Sequence, residues 1–164
     1  MIKIGITGSS GILGKSLISI FKKNHKYKVF NYKNNILHKH KLCNWVKQNQ
    51  FHVIVHLAAV VATKKAKKNY NLAKKVNYVG TKNLVNAIKK YQKKKIFLFF
   101  SSSSHVYSFT KKKIIETDKI KGISDYGKTK ILAEKYLLKN KSLYNLCIGR
   151  ISSLTSENQT TNFL

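Results

Sequence analysis

The sequence predicts a doubly wound α/β domain, three layers deep, with helices on both faces of a parallel sheet. Three observations predict it. Short β-branched or apolar runs alternate with helical patterns along almost the whole chain. Two of those runs, 51–57 and 96–101, are nearly all apolar up to the serines, as expected of strands covered on both faces. Parallel strands joined through helices then require right-handed crossovers. A length of 164 residues is enough for one domain with a real core.

The elements follow in order. Ile2–Thr7 alternates and is β-branched, a strand at the very start, and 8–14 is a glycine-rich turn. Ile12–Lys22 reads as a helix with Leu13, Leu17, Ile20 and Phe21 inward. Tyr27–Tyr32 is a second strand, and the polar stretch 33–41 has no assignment. A short helix is expected at 42–49 and a third strand at 51–57. The spacing predicts a long amphipathic helix over 69–91, burying Leu72, Val76, Val79, Leu84, Ala87 and Ile88. A buried strand at 96–101, a loop at 111–123 and a helix at 126–140 follow, the helix with Ile131, Leu132, Tyr136 and Leu137 on one side. Tyr144–Ile151 is the last strand, and 152–164 is a polar tail.

Thirty-three basic residues against five acidic ones give a formal charge of +28. Arg150 is the single arginine, and the lysines are spread throughout, with short clusters at 64–68, 93–95 and 111–113. Nucleic-acid readers draw on arginine for bidentate contacts to phosphate and guanine. The charge therefore reads as compositional bias carried on solvated faces, with neither a nucleic-acid nor a membrane partner expected. Glycines at 5, 8, 11 and 14 break the N-terminal apolar stretch, which argues against a signal peptide. Cys43 and Cys147 lack CxxC spacing and are expected as reduced thiols of a cytoplasmic protein. No metal site is expected: His38 and His40 sit in a polar loop, and His52 has no partner at ligand spacing.

Thr7-Gly8-Ser9-Ser10-Gly11-Ile12-Leu13-Gly14 lies between a strand and a helix. In that context Gly8 serves a tight turn, Gly11 a close approach of backbone to pyrophosphate, and Gly14 helix–strand packing. The helix N-terminus adds free N–H groups and the positive end of its dipole. Ser10 and Ile12 belong to the same cradle. The fold is thus expected to be Rossmann-type, with 1–151 as its NAD(P)-binding domain. After the second strand, Asn31-Tyr32-Lys33-Asn34-Asn35 holds no carboxylate for the adenine ribose, and Lys33 could meet a 2′-phosphate. Of NAD and NADP, the reading leans to NADP.

Tyr126 and Lys130 stand at i and i+4 on one helix face, where a cation is expected to favour phenolate and make the tyrosine an acid/base. The serine run 101–104 ends a buried strand, the place where ligand chemistry collects in open α/β sheets. His105, just beyond, either touches substrate or packs.

The glycine turn, His56-Leu-Ala-Ala59, Val76-Asn77 with Thr81, Asn83 and Leu84 beyond, SSSSHVY and YGKTKILAEKYL together resemble the extended short-chain dehydrogenase/reductase family. The likeness is greatest to sugar-nucleotide epimerases, dehydratases and dTDP-4-dehydrorhamnose reductases. The resemblance implies that Tyr126 is the catalytic acid/base, that Lys130 lowers its pKa and holds the nicotinamide ribose, and that Ser103 orients the substrate oxygen, with Ser102 the other candidate. It implies that Leu57, Ala58, Ala59 and Ser101 line the cofactor groove and that Asn77 is a structural or water-ordering residue. It also implies a nucleotide-sugar substrate and a homodimer through helices such as 69–91 and 126–140. Family members continue well beyond the strand that ends near Arg150, so 152–164 is expected to open a largely missing substrate-binding part. A non-catalytic NAD(P)-binding member or fragment is the alternative, with a basic nucleic-acid-binding protein a less favoured third reading.

Overall fold

The computed structural model describes residues 1–61 and 69–154; the 64–68 lysine cluster and most of the polar tail lie outside them. Five parallel strands form one sheet in the order β2-β1-β3-β4-β5. They are β1 (Ile2–Thr7), β2 (Tyr27–Tyr32), β3 (Val53–His56), β4 (Ile96–Ser103) and β5 (Tyr144–Ile151). Helix α1 (Ile12–Lys22) joins β1 to β2, and α2 (Lys39–Asn49) joins β2 to β3. α3 (Tyr70–Lys74) runs through a widened turn (Lys75–Val79) into α4 (Gly80–Tyr91), and α5 (Asp125–Lys139) precedes β5. This is the Rossmann-type order 3-2-1-4-5-6 without its outermost strand. Where that strand would form, the 33–38 segment folds back: the Tyr32 hydroxyl donates to Asn35 O, and Ile36 is buried.

Because β1→β2 and β2→β3 travel in opposite directions, right-handed crossovers put α1 on one face and α2, α4 and α5 on the other. The burial pattern agrees. Ile4, Ile6 and Val55 pack with Leu17, Ile18 and Phe21 on the α1 side. Leu42, Val46, Ile54, Leu84, Leu98, Phe100, Ala133 and Leu137 form the larger core on the other. Gly5 lets that second layer approach closely, since a Cβ there would stand 2.8 Å from the Trp45 ring. The direction of winding reverses between β1 and β3, which opens a crevice at their carboxyl ends.

The structure corrects several expected details. Ile20 is 61% exposed, and Ile18 takes the inward place on α1. The 69–91 helix is interrupted by the widened turn, whose extra residue shifts the phase of what precedes it, so Ala73 is buried and Leu72 is exposed. The inward stripe of α5 is Gly127, Thr129, Lys130, Ala133, Glu134 and Leu137, with Ile131, Leu132 and Tyr136 half-buried beside it. β4 is fully covered on one face only: on the other, Phe99 is half-buried against the α1-side cluster, whereas Phe97 is 43% exposed. α2 begins at Lys39, and β3 is shorter than expected although Phe51 before it is buried. Among the described residues no helix is long and apolar enough to cross a membrane, and no group of His, Cys, Asp or Glu could hold a metal ion.

Candidate functional site

The crevice is built first by glycines. Gly8 follows β1 with φ +72, and a Cβ on it would stand 2.6 Å from Ala58 N. The turn therefore lies against the 57–59 backbone, with Leu57 N donating to Thr7 O. At Gly14 a Cβ would meet Gly8 O at 2.5 Å, so α1 can seat on the turn only without a side chain there. Gly11 is different. Its backbone is extended (φ −73, ψ 168), and a Cβ would find nothing nearer than Gly8 O at 3.5 Å. The fold itself does not need glycine at 11; the space it leaves is open. No side chain caps α1 and its first turn holds no acidic residue, so its leading N–H groups are available to an anion. Ser10 and Ile12 are exposed at this mouth.

The cradle is anchored from below by a buried chain of hydrogen bonds. Thr81 Oγ1 donates to Asn77 O (2.6 Å), so it accepts from His56 Nε2 (2.9 Å), and His56 Nδ1 accepts from Thr7 Oγ1 (2.6 Å). Thr7 Oγ1 also accepts from Ala58 N at 3.4 Å. Asn77 is buried in the widened turn and spans two segments: its Oδ1 accepts from Val60 N, and its Nδ2 donates to Val60 O and Thr129 Oγ1. Asn77 is thus a bracket between the segment after β3 and α5. Burial, with Lys130 nearby, lowers the His56 pKa from 6.5 to about 3. Between those values the unfolded chain binds a proton that the folded chain refuses, so stability is lost as pH falls from 6.5 towards 3. The slope owed to His56 should approach about 1.4 kcal/mol per pH unit. Denaturant midpoints followed from pH 7.5 downward, in wild type and His56→Gln, should show this slope in the first and a flatter one in the second; parallel curves would contradict it.

The second half of the site comes from β4 and α5. Ser124 caps α5 by accepting from Gly127 N. A Cβ on Gly127 would collide with His105 O, so glycine beside the tyrosine lets α5 close onto the end of β4. The Tyr126 and His105 rings meet edge to face, 5.7 Å between centroids. Lys130 is fully buried, donates to Ser101 O at 2.7 Å and stands 4.8 Å from the centroid of the Phe100 ring. Ser102 turns towards α5 and donates to Glu134, whereas Ser103 accepts from His105 N on the other face. That pairing commits Ser102 to the protein and leaves Ser103, on the opposite face of β4, bonded only to the backbone of His105 among the described residues. The tyrosine, the lysine and the serine run are therefore brought together, and the turn and Leu57–Ala59 flank the neighbouring crevice.

The electrostatics differ from the expected phenolate. Burial raises the Tyr126 phenol to about 12 and lowers the Lys130 ammonium to about 7, the latter against the upward pull of Glu134. Lys130 Nζ lies 5.7 Å from the Tyr126 ring centroid, too far to offset desolvation by direct contact. In this state the phenol is protonated at neutral pH and its hydroxyl has no partner among the described residues. Lys33 is exposed just beyond β2, and Asn31 Oδ1, near the end of that strand, is buried without a partner among the described residues. Gly127, Glu134, Thr7, His56 and Thr81 lie inside the recognised motifs, but their partners are far apart in the chain and their roles in the site were not legible from sequence.

Comparisons with known proteins agree with this fold. The family model described as RmlD substrate binding domain matches residues 2–164. The chain is 29% identical over 175 residues to the UDP-glucose 4-epimerase of Mycoplasma genitalium, covering 89% of this chain and 51% of that protein. It resembles the solved structure of a dTDP-4-dehydrorhamnose reductase from Clostridium acetobutylicum with 27% identity and TM-score 0.85, covering 99% of this chain and 56% of that one. A dTDP-4-dehydrorhamnose reductase from Bacillus anthracis in complex with NADP shares the fold at 24% identity and TM-score 0.82, over 99% of this chain and 57% of that one. The chain spans about half the length of these relatives.

Proposed function

Since this chain belongs to the RmlD substrate binding domain family, we propose that it is the dinucleotide-binding and acid/base half of an NAD(P)-dependent enzyme acting on a nucleotide-linked sugar. The observation that carries the reading is the room left open at Gly11 in front of an uncapped helix N-terminus, on a turn whose other two glycines the fold itself requires. A dinucleotide pyrophosphate fits that cradle, with Gly8, Ser10, Gly11, Ile12 and Gly14 around it. Leu57, Ala58, Ala59 and Ser101 line the groove, and Asn77 braces it. Lys33, exposed where no carboxylate follows β2, favours NADP over NAD.

When bound, the nicotinamide supplies or accepts a hydride. The chain's own residues handle the proton. Tyr126 is protonated at neutral pH and so starts as the donor to the substrate oxygen, Ser103 orients that oxygen, and Lys130 holds the ribose side of the pocket. Binding of a polar ligand beside Lys130 would stabilise its ammonium and thereby ease proton loss from the phenol. Self-association through α4 and α5 is part of the same reading, their shared flank carrying Tyr78, Lys82 and Tyr136 in contact. A cytoplasmic setting suits the two free thiols.

The test is to measure NADPH and NADH binding, then nicotinamide oxidation or reduction with dTDP- and UDP-linked sugars. Dinucleotide binding with sugar-dependent turnover is expected. Binding without turnover on any sugar would favour a non-catalytic family member, and no dinucleotide binding would overturn the reading.

A further inference from the structure

Thirty-two of the 33 basic residues are lysine; a single arginine, Arg150, remains. Where composition favours lysine this strongly, a lone arginine marks a position whose geometry an ammonium cannot serve. The structure shows that geometry. Arg150 stands at the end of β5, paired in register with Ser102 of β4. Its Nε donates to Glu134 Oε1 at 3.3 Å and its Nη2 to Glu134 Oε2 at 3.0 Å, a two-pronged pair with a carboxylate that is fully buried. Its Nη1 donates to the Tyr107 hydroxyl and to Glu116 O at 2.9 Å, and the guanidinium lies 5.0 Å from the Tyr107 ring centroid. One planar group thus joins β5, α5, Tyr107 three residues past the serine run, and the loop beyond it. Lysine has three donors on one nitrogen and could not span these partners.

Glu134 passes the constraint on. It accepts from Ser102, and on α5 it lies in line with Lys130 and Tyr126 at i−4 and i−8. Holding Ser102 towards α5 fixes the alternation of β4, which turns Ser103 to the opposite face. On the loop side, Tyr107 bridges Ile120, and Lys121 and Gly122 both donate to Val106 O, so 106–122 forms a flap tied down at Tyr107 and Glu116 by the same guanidinium.

We propose that Arg150 is a positioning residue: through Glu134 it sets the orientation of the serine run, and through Tyr107 and Glu116 it pins the 106–122 flap beside the tyrosine helix. It touches no reacting atom. The effect on catalysis rests on the function proposed above; the structural coupling does not.

The experiment compares wild type with Arg150→Lys, Glu134→Gln and the double variant. Amide hydrogen exchange is the primary readout. Arg150→Lys is expected to speed exchange at Ile115, Asp118, Lys121 and Gly122 about tenfold or more, with β1 and β3 unchanged. The double variant should loosen the flap no further than Arg150→Lys alone, because the two side chains act as a unit. Glu134→Gln keeps an acceptor for Ser102 and serves should the arginine variants fold poorly. Its flap should also loosen. In active protein, Arg150→Lys should lower kcat about tenfold while dinucleotide affinity stays within about twofold, since the glycine turn is not part of the clamp. Unchanged flap exchange in both single variants would overturn the proposal, as would fully additive effects in the double variant. If wild type neither binds dinucleotide nor turns over, the functional reading fails while the exchange data still decide the clamp.

Discussion

Tyr126→Phe is expected to lower turnover by about a thousandfold, within the range typical of losing a positioned acid/base, while leaving dinucleotide affinity unchanged. The substitution removes one oxygen. The ring that meets His105 edge to face is kept, and the hydroxyl makes no hydrogen bond to the described residues that folding would miss. Stability should therefore hold, and the loss should fall on kcat rather than on binding. Because burial keeps the phenol protonated to about pH 12 in this state, the missing atom is the proton donor at any working pH. Turnover equal to wild type would remove Tyr126 from the chemistry.

Gly11→Val should abolish measurable NAD(P) binding, a loss of at least about a hundredfold, in a protein that still folds. Both halves follow from the local geometry. Extended backbone at Gly11 accepts any residue, and the only neighbour of a new Cβ is Gly8 O at ordinary contact distance. The valine methyls would occupy the space in front of the α1 N–H groups where a pyrophosphate must approach. Gly14→Val is the contrasting control: its Cβ would start 2.5 Å from Gly8 O, so that variant should lose stability outright. A folded Gly11→Val that binds the dinucleotide with undiminished affinity would show that the turn is only a turn.

What the sequence disclosed, and what it concealed, divides along physical lines. β1, the glycine turn, β4 and β5 were legible because their signals are local: alternation, apolar runs and glycines at a strand-to-helix junction. The inward face of α5 was not. Its buried stripe carries Thr129, Lys130 and Glu134, each with a partner on another element, so hydrophobic periodicity pointed instead to flanking Ile131 and Leu132. Functional side chains broke the pattern that usually reveals burial. The exposure of Phe97 on β4 escaped for the opposite reason. Phe97 is as apolar as a covered residue, and only the three-dimensional reach of α1 decides that it is exposed. The serine register was open for want of Glu134, whose partnership with Ser102 spans 32 positions. The expected effect of Lys130 on the phenol failed because spacing along a helix says nothing of how deeply an ammonium is buried.

The widened turn at Lys75–Val79 has a genetic consequence. One surplus residue inside a helix is what a single in-frame codon leaves behind, and removing it would restore regular winding. That repair would swing every side chain on α3 by about 100° relative to α4. Asn77 could then no longer address Val60 and Thr129 together. Mutational scans that exchange residues one for one would credit asparagine with the whole effect, although the gene also encodes it as length.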